Sequence, residues 1–358
     1  MGFQRLTACV VCLVAAVAVI RRGWAEVLFS WPTRGRIEQA IRLDPGNAFH
    51  HVAFGRILEE GGADPRPALR EALLRLPADA LLWVRLGLAE EAAGNTAEAE
   101  RLLLGAAERS RKHDVRWTLA NFYFRQGKET EFVHWARETL LMAYGDSTPL
   151  FDLAASLLVA GTRIRSEVLP PDRRPVWIQY AFWSAARKDW VEVEASAGYL
   201  GGPKEEAERA TLASLAEVLL ASYRNEAALE LWQRLGRRGV ASLEWRIQAH
   251  KGVSAVTFAS DRRWRVNLTG DQPERCELLV RLVPPGVTEI RWKPGRAVEG
   301  FYWEARGHSP SPTPVRRVWW QEGRMPMVKD SLSRVALVYE RPPRHVRFEG
   351  ELHVELIP

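Results

Sequence analysis

Cysteine is scarce, with three residues in a chain of 358. Cys9 and Cys12 fall in an apolar N-terminal run and Cys276 stands alone, so a disulfide framework is excluded. No Cys/His cluster has the spacing of a zinc site. His50 and His51 are adjacent and would point about 100° apart on a helix, so they are no ligand pair. Lysine is also rare, at seven residues, and arginine carries most of the positive charge. The chain lacks a Gly-rich phosphate loop, a G-x-S-x-G elbow and an H-E-x-x-H helix. Carboxylates abound, but nothing singles out two as an acid and a base. No repeated basic-aromatic module would read RNA or DNA. The sequence therefore points away from an enzyme and implies neither cofactor nor metal.

Hydrophobic residues make up 47%, which is ample for a packed interior and excludes wholesale disorder. Fifteen tryptophans are a high number for this length. The formal charge of +6 is uneven. Residues 242 to 358 carry 19 Lys+Arg against 14 Asp+Glu, while the rest carry 31 against 30. The basic tail would attract an acidic polysaccharide, nucleic acid or lipid head groups; an ordinary soluble surface in an Arg-rich proteome explains it equally.

Leu6 to Ile20 carry no charge and are flanked by Arg5 and by Arg21-Arg22. Fifteen residues are short for a membrane span, which needs roughly 17–25. Ala16-Val17-Ala18 offers small residues for signal cleavage. Trp24 and Trp31 suit a bilayer interface. Leu6-Thr7-Ala8-Cys9 is like a lipoprotein box but precedes the apolar run instead of following it. An uncleaved single anchor ranks first, a cleaved signal second and a buried core helix third.

From about Thr33 to Gly239 the pattern is helical and repetitive. Ala40, Ala72 and Ala106 recur at spacings of 32 and 34. Pro45 and Pro77 end helices, since proline cannot continue one. Counted from Ala80, Trp83 is fourth, Leu86 and Gly87 seventh and eighth, Gly94 fifteenth, Ala99 twentieth and Ala106 twenty-seventh. A tetratricopeptide repeat places its large, small and turn residues at these positions, so the segment resembles one. Trp117 begins a second unit 34 residues after Trp83. Trp83, Trp117 and Trp232 are expected in the core. Such helix pairs bury their apolar faces only by stacking, and five or six are expected in a curved solenoid. Arg85, Glu90, Asn121, Tyr123 and Arg125 are candidate groove residues for a bound protein or peptide. Ordinary solvated helix surface is the alternative.

At about Ser242 the period changes from 3.6 to 2. Eight or so short strands follow, which argues for an antiparallel β-sandwich or jelly roll. Alternation puts Trp245, Trp264, Trp292, Trp303 and Phe301 inward. Tyr302 shares the opposite face with Glu304 and Arg306, and Trp319 lies with Arg317. An exposed ring flanked by charges suits a sugar: the ring stacks on a pyranose face and the charged groups bond its hydroxyls. Tyr302, Glu304, Arg306, Arg317 and Trp319 are therefore candidate glycan contacts. The alternative is edge-strand aromatics covered by a loop or by the solenoid. Asn267-Leu268-Thr269 matches a glycosylation triplet and is taken as chance.

Three stretches carry a wider likeness. They are Trp117 to Gly127 (W-T-L-A-N-F-Y-F-R-Q-G), Leu243 to Ile247 with Gly252-Val253, and Ala336 to Pro342 followed by Phe348-Glu349-Gly350. The chain resembles bacterial membrane-anchored tetratricopeptide-repeat proteins with a C-terminal carbohydrate-binding-like β domain, of the kind associated with O-antigen or exopolysaccharide assembly. The resemblance implies an inner-membrane, single-pass envelope scaffold with a periplasmic body and no catalytic residues. The arginines after the apolar run favour the opposite sidedness. The expected fold is α+β and multidomain: a membrane segment over 1–32, a solenoid over 33–240 and a β-sandwich over 241–358. The expected partners are a protein segment, an acidic polysaccharide and the membrane, with no nucleic acid. The rival readings are a structural scaffold whose β domain caps the solenoid, and, remotely, a glycan-active enzyme using Glu304 with Glu322.

Overall fold

The computed structural model describes residues 2–257, 262–295 and 299–357, the side chains of 2–7, 256 and 257 excepted. Arg5 and Leu6, where the apolar run begins, thus lie outside the described side chains. The chain divides into two compact units, one ending at Gln179 and one beginning at Tyr180.

Fourteen helices are present among the described residues. In the first unit they are α1 (Gly2–Phe29), α2 (Arg34–Leu43), α3 (Ala48–Glu60), α4 (Arg66–Arg75), α5 (Ala80–Ala92), α6 (Thr96–Arg109), α7 (His113–Arg125), α8 (Glu129–Leu141) and α9 (Thr148–Leu158). The short α10 (Gly161–Arg163) runs on into a π-helical turn over Ile164–Val168. Neighbours pair as α1 with α2, α3 with α4, α5 with α6 and α7 with α8. First helices start at Ala48, Ala80, His113 and Thr148, so they repeat every 32, 33 and 35 residues. This is a tetratricopeptide-like arrangement of helix pairs.

Local chemistry sets these starts. The side chains of Asn47 and Asp79 accept from the backbone N–H of Phe49 (3.0 Å) and Leu81 (2.9 Å), capping α3 and α5. Within a pair, small residues let the helices touch. A Cβ on Gly87 would lie 2.9 Å from Leu103 Cδ2, and one on Gly55 2.9 Å from Leu69 Cδ2. Ala40, Ala72 and Ala106 are fully buried, as their spacing predicts.

Two of the tryptophans expected in the core sit at its rim. Trp83 and Trp117 are half-buried, and only Trp232 is buried. At Trp83 the indole N–H finds its acceptor at that rim: Nε1 donates to the Pro77 carbonyl at 2.9 Å. Arg109 closes over the ring at 3.9 Å.

Helix α1 extends beyond the apolar run read from the sequence. Ala8–Phe29 is a 22-residue stretch with mean hydropathy 1.8, long and apolar enough to cross a membrane. Residues 8–24 are exposed. The last turns then join the helical packing. Ala25 is fully buried, Asn47 donates to Glu26 at 3.1 Å, and the Phe29 ring lies 5.1 Å from His50. The sequence placed this boundary at 32; the packed body starts some seven residues earlier, inside α1.

Helix α11 (Arg174–Ala186) spans the division between the units. The second unit continues with α12 (Trp190–Leu200), α13 (Glu206–Ala221) and α14 (Asn225–Arg234). Ten strands follow among the described residues: β1 (Arg246–Ile247), β2 (Val253–Thr257), β3 (Arg263–Thr269), β4 (Arg275–Val283), β5 (Glu289–Trp292), β6 (Phe301–Gly307), β7 (Arg316–Trp319), β8 (Arg324–Pro326), β9 (Ser333–Glu340) and β10 (Glu349–Ile357). They form two antiparallel sheets ordered β1-β4-β9-β6-β7 and β2-β3-β10-β5-β8. One core joins them: Val266, Leu268 and Val354 from the second sheet meet Leu278, Trp303 and Leu337 from the first.

The β region is tied to the helices before it. Asn225 Nδ2 donates to the His308 carbonyl (2.8 Å), the His308 ring meets the Leu220 carbonyl (2.8 Å), and Ser242 N donates to Glu217 (2.7 Å). Across β4 and β9, Arg334 donates to both oxygens of Glu277, at 3.0 and 2.5 Å. This arginine holds the Glu277 carboxyl below the usual carboxylate range despite burial. A depressed folded pKa means that the pair stabilises at neutral pH and is lost as pH falls through the carboxylate range. Arg334→Gln is therefore expected to lower the melting temperature at about pH 7 and to change it far less at about pH 3. An equal loss at both pH values would show that packing, not the ion pair, is at work.

Candidate functional site

Two surfaces hold the residues singled out by the sequence. On the helical unit, Arg85 of α5 bonds Glu59 of α3 at 2.8 Å. Arg125 of α7 holds Glu91 of α5 through two bonds, at 2.8 and 2.6 Å. These pairs run between first helices of successive repeats. Asn121 Nδ2 turns back on its own helix and donates to the Trp117 carbonyl at 2.8 Å.

Glu90 and Tyr123 are not groove-lining residues. Glu90 is 1% exposed, a buried charge that needs partners. It has Arg70, Arg66 at 3.5 Å, and Asn95, which donates at 2.7 Å. Tyr123 is 2% exposed and its hydroxyl donates to Glu100 at 3.0 Å. Burial, and then the Glu100 carboxylate, push its pKa up. Both side chains bond the second helices of their own or the preceding repeat. The sequence missed this because the charged partners, Arg66, Arg70 and Glu100, lie 20 or more residues away.

The second surface is the β6–β7 edge. Tyr302 stands opposite Trp319, and Glu304 opposite Arg317, in the antiparallel register. Tyr302, Glu304, Arg317 and Trp319 thus come together, but not as an open face. Tyr302 was expected outside and is 1% exposed; Glu304 is 6% exposed. The cause is the position of β6 between β9 and β7, where Val280, Ala336 and Val338 cluster with Tyr302 on the face away from the shared core. A central strand covered on both faces defeats the alternation rule.

An ionic layer lies over the Tyr302 ring. Tyr302 Oη donates to Glu340 at 2.7 Å, and Arg275 reaches Glu304 at 3.1 Å. Arg317 sits 3.4 Å from Glu304, and 5.0 Å above the Tyr302 ring. Burial and the Glu340 bond raise the Tyr302 pKa, so the phenol stays protonated. Glu304 is engaged by two arginines, while Glu322 is exposed on the turn that follows β7.

Trp319 is the exposed ring, at 57%, with its edge against Tyr302 at 5.5 Å. Beside it opens a cleft of about 510 Å³ lined by Arg317, Gln321, Glu340, Arg341 and Pro342. An indole wall with amide, guanidinium and carboxylate groups around it can stack a flat apolar ligand face and bond its polar rim. Glu340 and Arg341 were not singled out by the sequence reading; the β6–β9 pairing brings Glu340 beside β6. Arg306 lies at the other end of β6, opposite Arg334, and lines a separate cleft of about 760 Å³ with Asn225 and His308. Among the described residues no group of His, Cys, Asp or Glu is placed to hold a metal ion. Burial pushes the Cys276 thiol up to about 11, which leaves it a packing residue.

No protein-family model and no curated protein matches the chain. Among solved structures it is similar to Pseudomonas aeruginosa PilF, at 15% identity over 61% of this chain and 90% of that one, with a TM-score of 0.30. It is also similar to MamA (14% identity, 44% and 98% covered, TM-score 0.30). A third is YrrB, described as a TPR protein with an unusual peptide-binding site (12% identity, 56% and 90% covered, TM-score 0.27). At these values no residue role passes from them to this chain.

Proposed function

We propose that this chain is a non-catalytic scaffold of the bacterial cell envelope, working in polysaccharide or O-antigen assembly or export. In this reading α1 is an uncleaved inner-membrane anchor and the body is periplasmic. The functional division follows 1–32, 33–240 and 241–358, and the last part is a β-sandwich with jelly-roll character. The helix pairs take a protein or peptide segment, and the Trp319 cleft takes a glycan.

The observation that carries the reading is the row of ion pairs between first helices, Glu59–Arg85 and Glu91–Arg125. Partly exposed pairs of this kind are worth only about 0–1 kcal/mol. They exchange partners cheaply, so a charged peptide can replace one member without breaking the fold. Exposed Phe49, Leu81 and Leu88 on α3 and α5 supply apolar contact.

A photo-crosslinker placed at Arg85 or Arg125 in cells is expected to give a discrete protein adduct. The same group at Leu74 of α4 is expected to give none. Equal labelling from all three positions would sink the groove reading. A second reading, in which the β domain only caps the helices, is favoured by the Asn225–His308 and Ser242–Glu217 bonds; it keeps the adduct and removes the glycan.

A further inference from the structure

A third cleft, of about 720 Å³ and without Trp319 in its lining, opens between the end of α14 and the sheets. Its walls carry five arginines, at 237, 238, 262, 281 and 291, against two glutamates, Glu244 and Glu289. The glutamates are engaged: Glu289 pairs Arg291 at 3.2 Å, and Glu244 accepts from Gly239 N at 3.1 Å. Arg237, Arg238 and Arg262 are exposed and have no ion pair among the described residues.

Arg281 differs from them. It is half-buried on β4, 5.9 Å over the Trp245 ring. Its Nε is buried with no acceptor among the described residues. Trp232 lines the same cleft at 8% exposure, and its Nε1 is likewise buried and without an acceptor. A buried orphan donor is costly, and more so when charged. Two at one cleft are a debt that an acceptor-rich ligand removes. Desolvation lowers the Arg281 pKa, and the nearby Glu244 carboxylate offsets this only in part while the like charge of Arg262 adds to it.

We propose that this cleft binds an acidic oligosaccharide, with a sugar carboxylate seated on Arg281 and Trp232 and the sugar body along Trp245 and Leu356. The buried groups left without a partner at this cleft are donors, and arginines outnumber carboxylates in its walls, which favours an anion. A guanidinium and a neighbouring N–H match the two oxygens of a carboxylate. The volume suits a few sugar rings, and the aromatic wall suits their apolar faces. The flanking arginines add screened, longer-range attraction for further acidic units. The inference rests on the glycan-binding reading of the β domain, but assigns the acid to a different site.

The test uses the full chain in detergent, titrated with hexagalacturonate and with neutral maltohexaose at low and moderate salt. The wild type is expected to bind hexagalacturonate in a salt-sensitive manner. Arg281→Gln should weaken that component about tenfold or more. Arg262→Gln, at an exposed position that leaves folding intact, should weaken it by a smaller factor. Trp319→Ala should leave the salt-sensitive component in place. If both arginine variants bind like the wild type while Trp319→Ala does not, this inference fails and the glycan reading survives. If the wild type binds neither sugar, both fail.

Discussion

Gly87→Trp is expected to abolish cooperative unfolding of the helical unit. Gly87 is the eighth residue of α5, where that helix crosses α6. Even a single added carbon would lie 2.9 Å from both Cγ and Cδ2 of Leu103, and 3.4 Å from the Ala99 carbonyl. Leu103 is fully buried and cannot turn outwards. An indole there forces the two helices apart, and the repeats share those helices with their neighbours. Overpacking by a few methylenes costs typically ~1–3 kcal/mol; a whole ring at a helix crossing exceeds that. Gly87→Ala makes a calibrated control. It gains about 1 kcal/mol of helix propensity and gives up about as much or more to crowding, so a modest net loss is expected. Urea and thermal unfolding of the full chain, followed by far-UV circular dichroism, separates these outcomes. A Gly87→Trp protein that melts like the wild type would refute the crossing.

The adjacent tryptophans of the β6–β7 edge are expected to respond in opposite ways. Trp320 is fully buried, stacks on Trp292 at 6.1 Å, and its carbonyl accepts from Trp292 Nε1 at 2.7 Å. Trp320→Ala leaves a large cavity in the shared core and should cost about 3–5 kcal/mol. Trp319 points out beside the Arg317–Arg341 cleft. Trp319→Ala should leave the melting temperature within about a degree or two. It should remove the salt-insensitive part of glycan binding, because ring stacking is not screened by ions. Calorimetry on both variants, together with binding at moderate salt, decides the matter. Parallel losses of stability would place Trp319 in the core and remove it from any sugar face.

Much of the helical unit was legible because packing there depends on residue size at fixed intervals. Ala40, Ala72, Ala106 and Gly87 are small because another helix lies against each, and that requirement is visible as spacing. What spacing cannot show is a partner. Glu90 looks like a solvated glutamate until Arg66, Arg70 and Asn95 converge on it. Trp83 looks like core until its N–H needs the Pro77 carbonyl. In the sheets, alternation turned Trp245, Trp264, Trp292, Trp303 and Phe301 inward; the last four are buried, and Trp245 is half-buried against the same core. Tyr302 did not, because β6 is covered on both faces. Strand β8, which alternation does not mark, tolerates Pro326 because it lies at the edge of its sheet. Of the proposed glycan contacts, the sequence brought four of five to one cluster but could not tell which of them reaches solvent.

The continuity of α1 has a mechanical consequence. The helix that carries the apolar stretch is also the helix whose Ala25 and Phe29 pack against the first repeat, and no loop separates the two roles. There is no swivel at this joint. One residue inserted between Ile20 and Ala25 would turn the packed body by about 100° and shift it by about 1.5 Å relative to the apolar segment. The number of residues there therefore sets, like the pitch of a screw, which side of the repeats is aligned with a given side of the apolar segment.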